Sequence, residues 1–369
     1  MVERISYRQL FFIVYLSDMT LIVTSLLTVT SYDGTRQDAW LAALLTGILA
    51  PLITWAIMSL GVLFPGQTFV QYAPRILGRF WGTIASILYL LFLLERMAFL
   101  IRVFGGMLAI SIYTVTPTVV FWVLTSFVAA IGVRYGIEVI ARMADIFTPL
   151  FLTVTVVVVV VSIPLWDTRW ILPVMARGPA PVVLGAVTPT GLFVEQVYLL
   201  MLMPLVDDAR RARAVATWAT AAVALTKLVL VLMVLFSFGP FEAPRLSLPV
   251  YELARLLSLG ELYERLDVIP MITWSMSMQL ELYVLLYVLA KGIGQLFGVG
   301  DFRSLAFPVV ALALCLTPMV HAEFSQYREI MHPSIMGVYM LGIVFPLFLA
   351  LLLVARLRGA GPGHREEGR

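Results

Sequence analysis

The stretch "LFLLERMAFLIRVFGG", residues 91–106, places Glu95, Arg96 and Arg102 inside a long apolar run. A charge at the centre of a bilayer costs at least about 2.5–3.5 kcal/mol, and such residues mark substrate or ion paths or fixed ion pairs. Glu95 and Arg102 are seven positions apart, close to two helical turns, so they share a face with Phe99 between them, while Arg96 is rotated by about 100°. Glu95 and Phe99 are therefore candidates for the wall of a ligand or ion path. Arg102 is expected nearer the outer mouth, paired with an acidic loop residue. The alternative is structural, with Glu95 or Arg96 paired to Lys227 or Glu281, which also lie in apolar runs. Fixed pairing or snorkelling is the expectation for Arg96.

Two further segments interrupt apolar runs with polar or helix-breaking residues. In "YLSDMTLIVTS" they are Ser17, Asp18 and Thr20, and in "VTPTGLFVEQ" they are Thr188, Pro189, Thr190 and Gly191, with Glu195 close behind. Proline removes an N–H and clashes with the preceding turn, and glycine tolerates almost any backbone angle. A helix opened at such points frees N–H and C=O groups to hold a ligand. An ordinary kink, or a helix starting at Thr190, would read the same way, and Glu195 would also serve as a helix-cap carboxylate. "TWSMSMQLEL" adds Ser275 and Gln279, four apart on one face. Small hydroxyls there equally serve close helix packing.

The elements that must position these residues follow from composition. The chain has 369 residues, 61% of them hydrophobic and 13% charged, against about 25% charged in soluble proteins. Apolar runs of spanning length recur from end to end, which indicates a polytopic α-helical membrane protein. Continuous rather than alternating apolar runs argue against a β-barrel. Ten spans are expected, at about 9–31, 39–63, 81–112, 117–133, 144–166, 183–205, 214–238, 266–290, 305–321 and 334–356. They form one membrane domain over 1–357, with a polar, Gly-rich tail at 358–369 expected to be disordered. The first span reads as retained and not as a cleaved leader.

With the N-terminus in the cytoplasm, fifteen Lys or Arg residues fall inside and seven outside. That bias places both termini in the cytoplasm. Ten helices split into two sets of five give halves of opposite orientation, the arithmetic of an inverted repeat, whose first helices, one and six, are discontinuous. The external segment "LPVYELARLLSLGELYERL" has amphipathic helical spacing. Glu138 and Arg142 are spaced as an i,i+4 pair.

Several function classes are excluded. The single cysteine, Cys315, permits no disulfide framework and is expected to pack inside a helix. His321 and His332 lie near Glu323 and Glu329, but the spacing is too loose for a metal site. No phosphate loop or dinucleotide motif occurs, so no cofactor is expected. No acyl-transfer nucleophile stands out, and the chain reads as a non-enzyme. Basic residues follow topology and form no nucleic-acid-binding face.

"ISYRQLFF", "FPGQTFVQYAPRILGRFWGTIASILYLLF", "RYGIEVIARMADIFTPL", "EQVYLLMLMPLVDD" and "ERLDVIPMITWSMSMQLELYVLLYVLAKGIGQLFG" occur in that order. Together they resemble the spore-germination permease family, the GerAB-type B subunit of nutrient germinant receptors, over roughly residues 4–357. The resemblance implies membership of the amino acid–polyamine–organocation superfamily and a LeuT-like fold of five plus five helices. It implies location in the inner membrane of the spore, with an A subunit and a C-subunit lipoprotein as partners. It also implies a small nutrient, such as an amino acid, held among helices one, three, six and eight. Where the family pattern has small residues in the first-helix break, this chain has "SDMT", and Asp18 disfavours a ligand carboxylate resting there. The segment 248–266 would cap the outer vestibule. The rival function is a secondary transporter of amino acids or amines coupled to H⁺ or Na⁺.

Overall fold

The computed structural model describes residues 3–31, 34–111, 115–246, 248–257, 268–320 and 327–359. All regular structure among them is helical. The long elements are α1 (Tyr7–Ser31), α2 (Ala39–Val62), α3 (Phe69–Leu77), α4 (Arg79–Ser111), α5 (Thr118–Arg134) and α6 (Ile137–Ser162). Helix six is composite: α7 (Ala180–Leu192), a 3₁₀ stretch (Phe193–Tyr198) and α8 (Leu199–Leu202). Then come α9 (Ala209–Glu242), the short α10 (Pro249–Leu257), α11 (Val268–Phe297), α12 (Ala306–Leu316) and α13 (Tyr327–Ile330). The last pass joins a π-helix (Pro333–Val344) to α14 (Phe345–Leu357).

Seven of the described helical stretches are long and apolar enough to cross a membrane, and Thr118–Arg134 and Phe302–Leu316 are shorter apolar helices. With α1, whose 25 residues extend about 37 Å, they make ten passes. Large apolar side chains such as Ile48, Leu52, Leu88, Leu124 and Leu347 are exposed on the outside of the bundle. In water they would be a liability, and in lipid they are the solvent-facing surface. The chain is an all-α membrane protein.

One face of the bundle, the N-face, gathers the start of the chain and the end of α14. Ile5 N–H donates to the Leu205 carbonyl at 3.0 Å. Arg358 donates to the Ile76 carbonyl at 2.6 Å. The amphipathic α3 lies at this face, its start fixed by a capping box between Thr68 and Gln71, which satisfies otherwise orphaned N–H groups. On the far face, Asp38 accepts from the Met175 N–H at 2.9 Å.

Several expectations need correction. α1 runs as one α-helix through Ser17–Thr20, so the break expected in helix one is not a break in the backbone. A polar side chain satisfied by a group on another helix does not require its own helix to open. In helix six the change of winding falls at Phe193–Tyr198, after Thr188–Gly191, which lie within α7. α6 begins at Ile137, seven residues before the fifth expected span, because Gly136, at φ 86°, supplies the turn just before it. Cys315 is exposed on α12 and not packed inside. Arg102 donates to the Thr317 carbonyl at 3.2 Å and lies over Trp122. The Glu138–Arg142 pair is present at 3.8 Å, on the surface. Residues 258–267, His321, Glu323 and the tail from 360 lie outside the described residues.

Candidate functional site: an ion-pair cluster at the break of helix six

The winding change in helix six has local causes. Pro189 cannot donate to the helix ladder, and Gly191 lets the last pass come close: a Cβ on Gly191 would stand 3.0 Å from the Cβ of Met340. The following 3₁₀ turn, with three residues per turn, holds Glu195 and Gln196, both buried.

Gln196 is a hub. Its Nε2 donates to an Asp18 carboxylate oxygen on α1 and to Thr220 Oγ1 on α9, the latter at 2.8 Å. Its Oε1 accepts from Thr54 on α2. Thr54 and Thr220 also approach each other at 3.0 Å. One side chain therefore ties four passes together, with Asp18 held on one side.

Beside the hub lies the ion cluster. Arg96 on α4 is 2% exposed. Its Nε stands 3.0 Å from Glu195 and 3.6 Å from Glu95. Its guanidinium lies over the Phe99 ring at 4.3 Å, and Nη1 is 3.8 Å from Met336 Sδ on the π-helix. Lys227 on α9 is buried over the Phe193 ring at 4.5 Å, with no hydrogen-bond partner, within electrostatic reach of Asp18, Glu195 and Glu281. Glu281 on α11 is also buried, and its Oε2 has no hydrogen-bond partner. An unpaired polar group in a low-dielectric interior is expensive, so these atoms are poised for a partner.

A small cavity touches this cluster. Thr20, Arg96, Phe99, Glu195, Met278 and Glu281 are among its walls, and it holds about 10 Å³ for the centres of water-sized guests. That is about the room one water needs.

Of the residues expected in the site, Thr20, Phe99 and Glu195 line this cavity. Asp18 sits behind it on Gln196, and Ser17 is buried on α1 nearby without lining it. Glu95 flanks Arg96 with its side chain 32% exposed. Thr188 is buried in α7, and Thr190 meets Thr46 on α2 at 3.3 Å, away from the cavity. Ser275 and Gln279 do not line it: Gln279 donates to the Thr125 carbonyl on α5 at 3.2 Å, and the α11 residues that do are Met278 and Glu281. The lining role of Arg96 and the hub role of Gln196 were missed. The signal for Arg96 was present, a cation in the middle of an apolar run; for Gln196 there was none. Among the described residues no group of His, Cys, Asp and Glu is disposed to hold a metal.

The N-face is closed by a second, wetter network. Glu3 accepts from Tyr287 and, at 2.5 Å, from Arg303. Arg4 pairs with Asp207 at 2.6 Å. Arg8 and Gln9 both reach Asp145, at 3.2 and 3.1 Å.

The profile described as spore germination protein matches residues 4–327. "Spore germination protein KB" of Bacillus subtilis (strain 168) is 26% identical over 376 residues, covering 99% of each chain. Among solved structures, Mhp1, a nucleobase-cation-symport-1 family transporter closed on bromovinylhydantoin, superposes with TM-score 0.69 at 13% identity, over 97% of this chain and 82% of its own. MhsT in complex with L-phenylalanine gives 0.68 at 14%, over 96% and 90%. The backbone thus has the five-plus-five arrangement of the LeuT-like fold, and by its sequence the chain belongs to the spore germination protein family.

Proposed function

We propose that this chain is the membrane subunit of a spore nutrient germinant receptor, and that a small nutrient binds where Arg96, Glu195 and Glu281 face the cavity between α1, α4, helix six and α11. The observation that carries the reading is this charged, enclosed cavity beside the winding change in helix six. Burying these charges has no packing advantage over apolar side chains, which favours a role in recognition. The cluster holds four carboxyl groups (Asp18, Glu95, Glu195, Glu281) against two cations (Arg96, Lys227). It is two positive charges short of balance when all are ionised. An amine supplies one of them at Glu281; an amino acid places its ammonium group there and its carboxylate at Arg96, pairing both ends without changing the net balance. The cavity as it stands admits only a water-sized guest, so binding requires the walls to part. A ligand shifts that equilibrium only by its differential affinity for the two states.

In this reading the N-face is cytoplasmic, the membrane is the inner membrane of the spore, and an A subunit and a C-subunit lipoprotein read out the change. Ser17, Asp18, Thr188, Thr190 and Gly191 position the binding residues more than they touch the ligand. The test is ligand-dependent thermal stability of the purified protein against amino acids, amines, sugars and nucleosides, since a ligand that binds only the folded state raises the midpoint. A hit that Glu281→Gln abolishes supports the reading, and a hit indifferent to both Glu281→Gln and Glu195→Gln sinks it. The LeuT-like fold favours one alternative, a secondary transporter coupled to H⁺ or Na⁺. Uptake of the same ligand into vesicles holding this subunit alone would decide for it.

A further inference from the structure

The N-face carries basic residues that no carboxylate answers. Arg4, Arg8 and Arg303 there pair with Asp207, Asp145 and Glu3. Arg75 in the last turn of α3, Arg79 at the start of α4 and Arg358 just after α14 are exposed and form no ion pair among the described residues. The sequence explains why: no Asp or Glu occurs between residues 39 and 94 or between 330 and 365.

The fold brings these three arginines to one corner. Gly78, at φ 86°, turns the chain from α3 into α4. A Cβ on Gly82 would run into the backbone of Pro74, so the two helices meet with their backbones nearly in contact. Arg358 closes the corner from α14. Its Nη1 donates to the carbonyl of Ile76, a residue between Arg75 and Arg79, at 2.6 Å. A guanidinium has five N–H donors, so four remain.

The rest of the corner is apolar and exposed. Phe80 and Trp81 stand edge to face at 5.4 Å, and Leu357 lies beside Arg358 in the chain. Exposed apolar side chains continue from them along two passes, with Ile87, Leu88 and Leu91 on α4 and Leu349 and Leu353 on α14. Tryptophan gathers where hydrocarbon meets headgroups. The corner therefore offers unanswered cations at the ends of passes and an apolar stripe leading away from them. A purely acidic peptide would match the first feature and not the second.

We propose that the corner of α3, α4 and α14 binds the headgroup of an anionic phospholipid, with its acyl chains along α4 and α14. Guanidinium groups match the oxygens of a phosphate in a two-pronged fit. A zwitterionic lipid brings its own cation and leaves the three arginines unbalanced, so the site selects for net negative charge. It acts independently of what the charged cavity binds.

The test uses the full chain in phosphatidylcholine bilayers. These are doped with the same small mole fraction of either phosphatidylglycerol or phosphatidylcholine brominated near the head of the acyl chains. Bromine quenches indole emission on contact, and the Trp81 contribution is isolated by subtracting the Trp81→Phe protein. The expected result is several-fold more quenching by the brominated phosphatidylglycerol, with the excess falling as salt rises. Arg75→Gln/Arg79→Gln, which keeps the bond from Arg358 to Ile76, should lose the excess, and Arg75→Lys/Arg79→Lys should retain most of it. Equal quenching by the two lipids in the wild type would overturn the proposal, as would an excess that survives in the glutamine variant. A rival occupant is the chain's own tail, which carries Glu366 and Glu367. An excess that appears only when the chain is cut after Gly359 would assign the corner to the tail and not to lipid. No excess in either the full or the cut chain would leave it to an acidic protein partner, and the proposal would fall.

Discussion

The molecule carries two ion networks built from the same residue types. At the N-face, Arg4 and Asp207 pair at 2.6 Å with side chains 69% and 70% exposed. In the bundle, Arg96 and Glu195 pair at 3.0 Å with side chains 1% and 9% exposed. The shorter pair is the weaker one. An exposed pair is worth about 0–1 kcal/mol, because water already solvates both partners. Removing one partner of a buried pair strands the other, at about 3–5 kcal/mol. Distance alone says nothing about what a pair does, and the surroundings decide. The N-face network can open and reform at little cost, as a closure must. The buried one cannot lose a member without a replacement, which a ligand can supply.

The largest expected effect tests the buried side of this contrast. Arg96→Met should destabilise the protein by about 3–5 kcal/mol, seen as a much lower thermal midpoint. The double variant Arg96→Met/Glu195→Leu should recover part of the loss, because no charge is then stranded. A double variant as unstable as the single would show that the pair is not the unit. Next is Gln196→Leu, which leaves Asp18, Thr54 and Thr220 without their shared partner and should cost about 1–3 kcal/mol. An unchanged midpoint would remove Gln196 from its place as hub. Gly191→Leu drives a side chain into Met340 and should cost about 1–3 kcal/mol by overpacking. Its effect on ligand response should exceed its effect on protein level, and a normal dose-response would separate this contact from ligand binding.

The exposed side of the contrast should barely register. Arg4→Ala is expected to shift stability by less than about 1 kcal/mol, and less at high salt. A loss comparable to that of Arg96→Met would erase the distinction. Smallest is the far-face pair of Asp167 and Arg169. Hydrogen bonds from Arg169 hold the Asp167 carboxyl down, from 3.8 to about 2. A lowered carboxyl contributes above pH 3.8 and stops contributing as pH falls through 2. In Arg169→Ala the carboxyl should rise from about 2 only part of the way toward 3.8, because the backbone N–H of residue 169 still donates to it at 3.0 Å, and NMR of labelled aspartate follows the change.

The ten passes were legible because spanning runs are a local property of the sequence. Glu195 was legible for a similar reason, as an acid just after a proline–glycine interruption. Helix one shows the limit. Ser17, Asp18 and Thr20 look like a break on paper, but Asp18 finds its donor on Gln196, 178 positions away, and the helix has no need to unwind. Ser275 and Gln279 are four apart on α11, yet Gln279 reaches toward α5 and away from the charged cavity. Periodicity says which residues share a face and not what the face meets. Arg96 was read as a fixed partner and forms the centre of the cluster, because apolar flanks do not reveal which helices close around a charge.

The last pass of the chain has a consequence of its own. Over Pro333–Val344 it is wound as a π-helix, each N–H reaching one residue further back than in an α-helix. Pro346, just beyond, carries no N–H and so interrupts the ladder between the two winding patterns. The segment therefore holds a reserve of register: tightening to α winding would advance its side chains by one position per turn while α14 stays in place. The residues that such a slip exchanges include Met336, against Arg96, and Met340, against Gly191. Such a slip would change which side chain of the last pass faces the charged cluster.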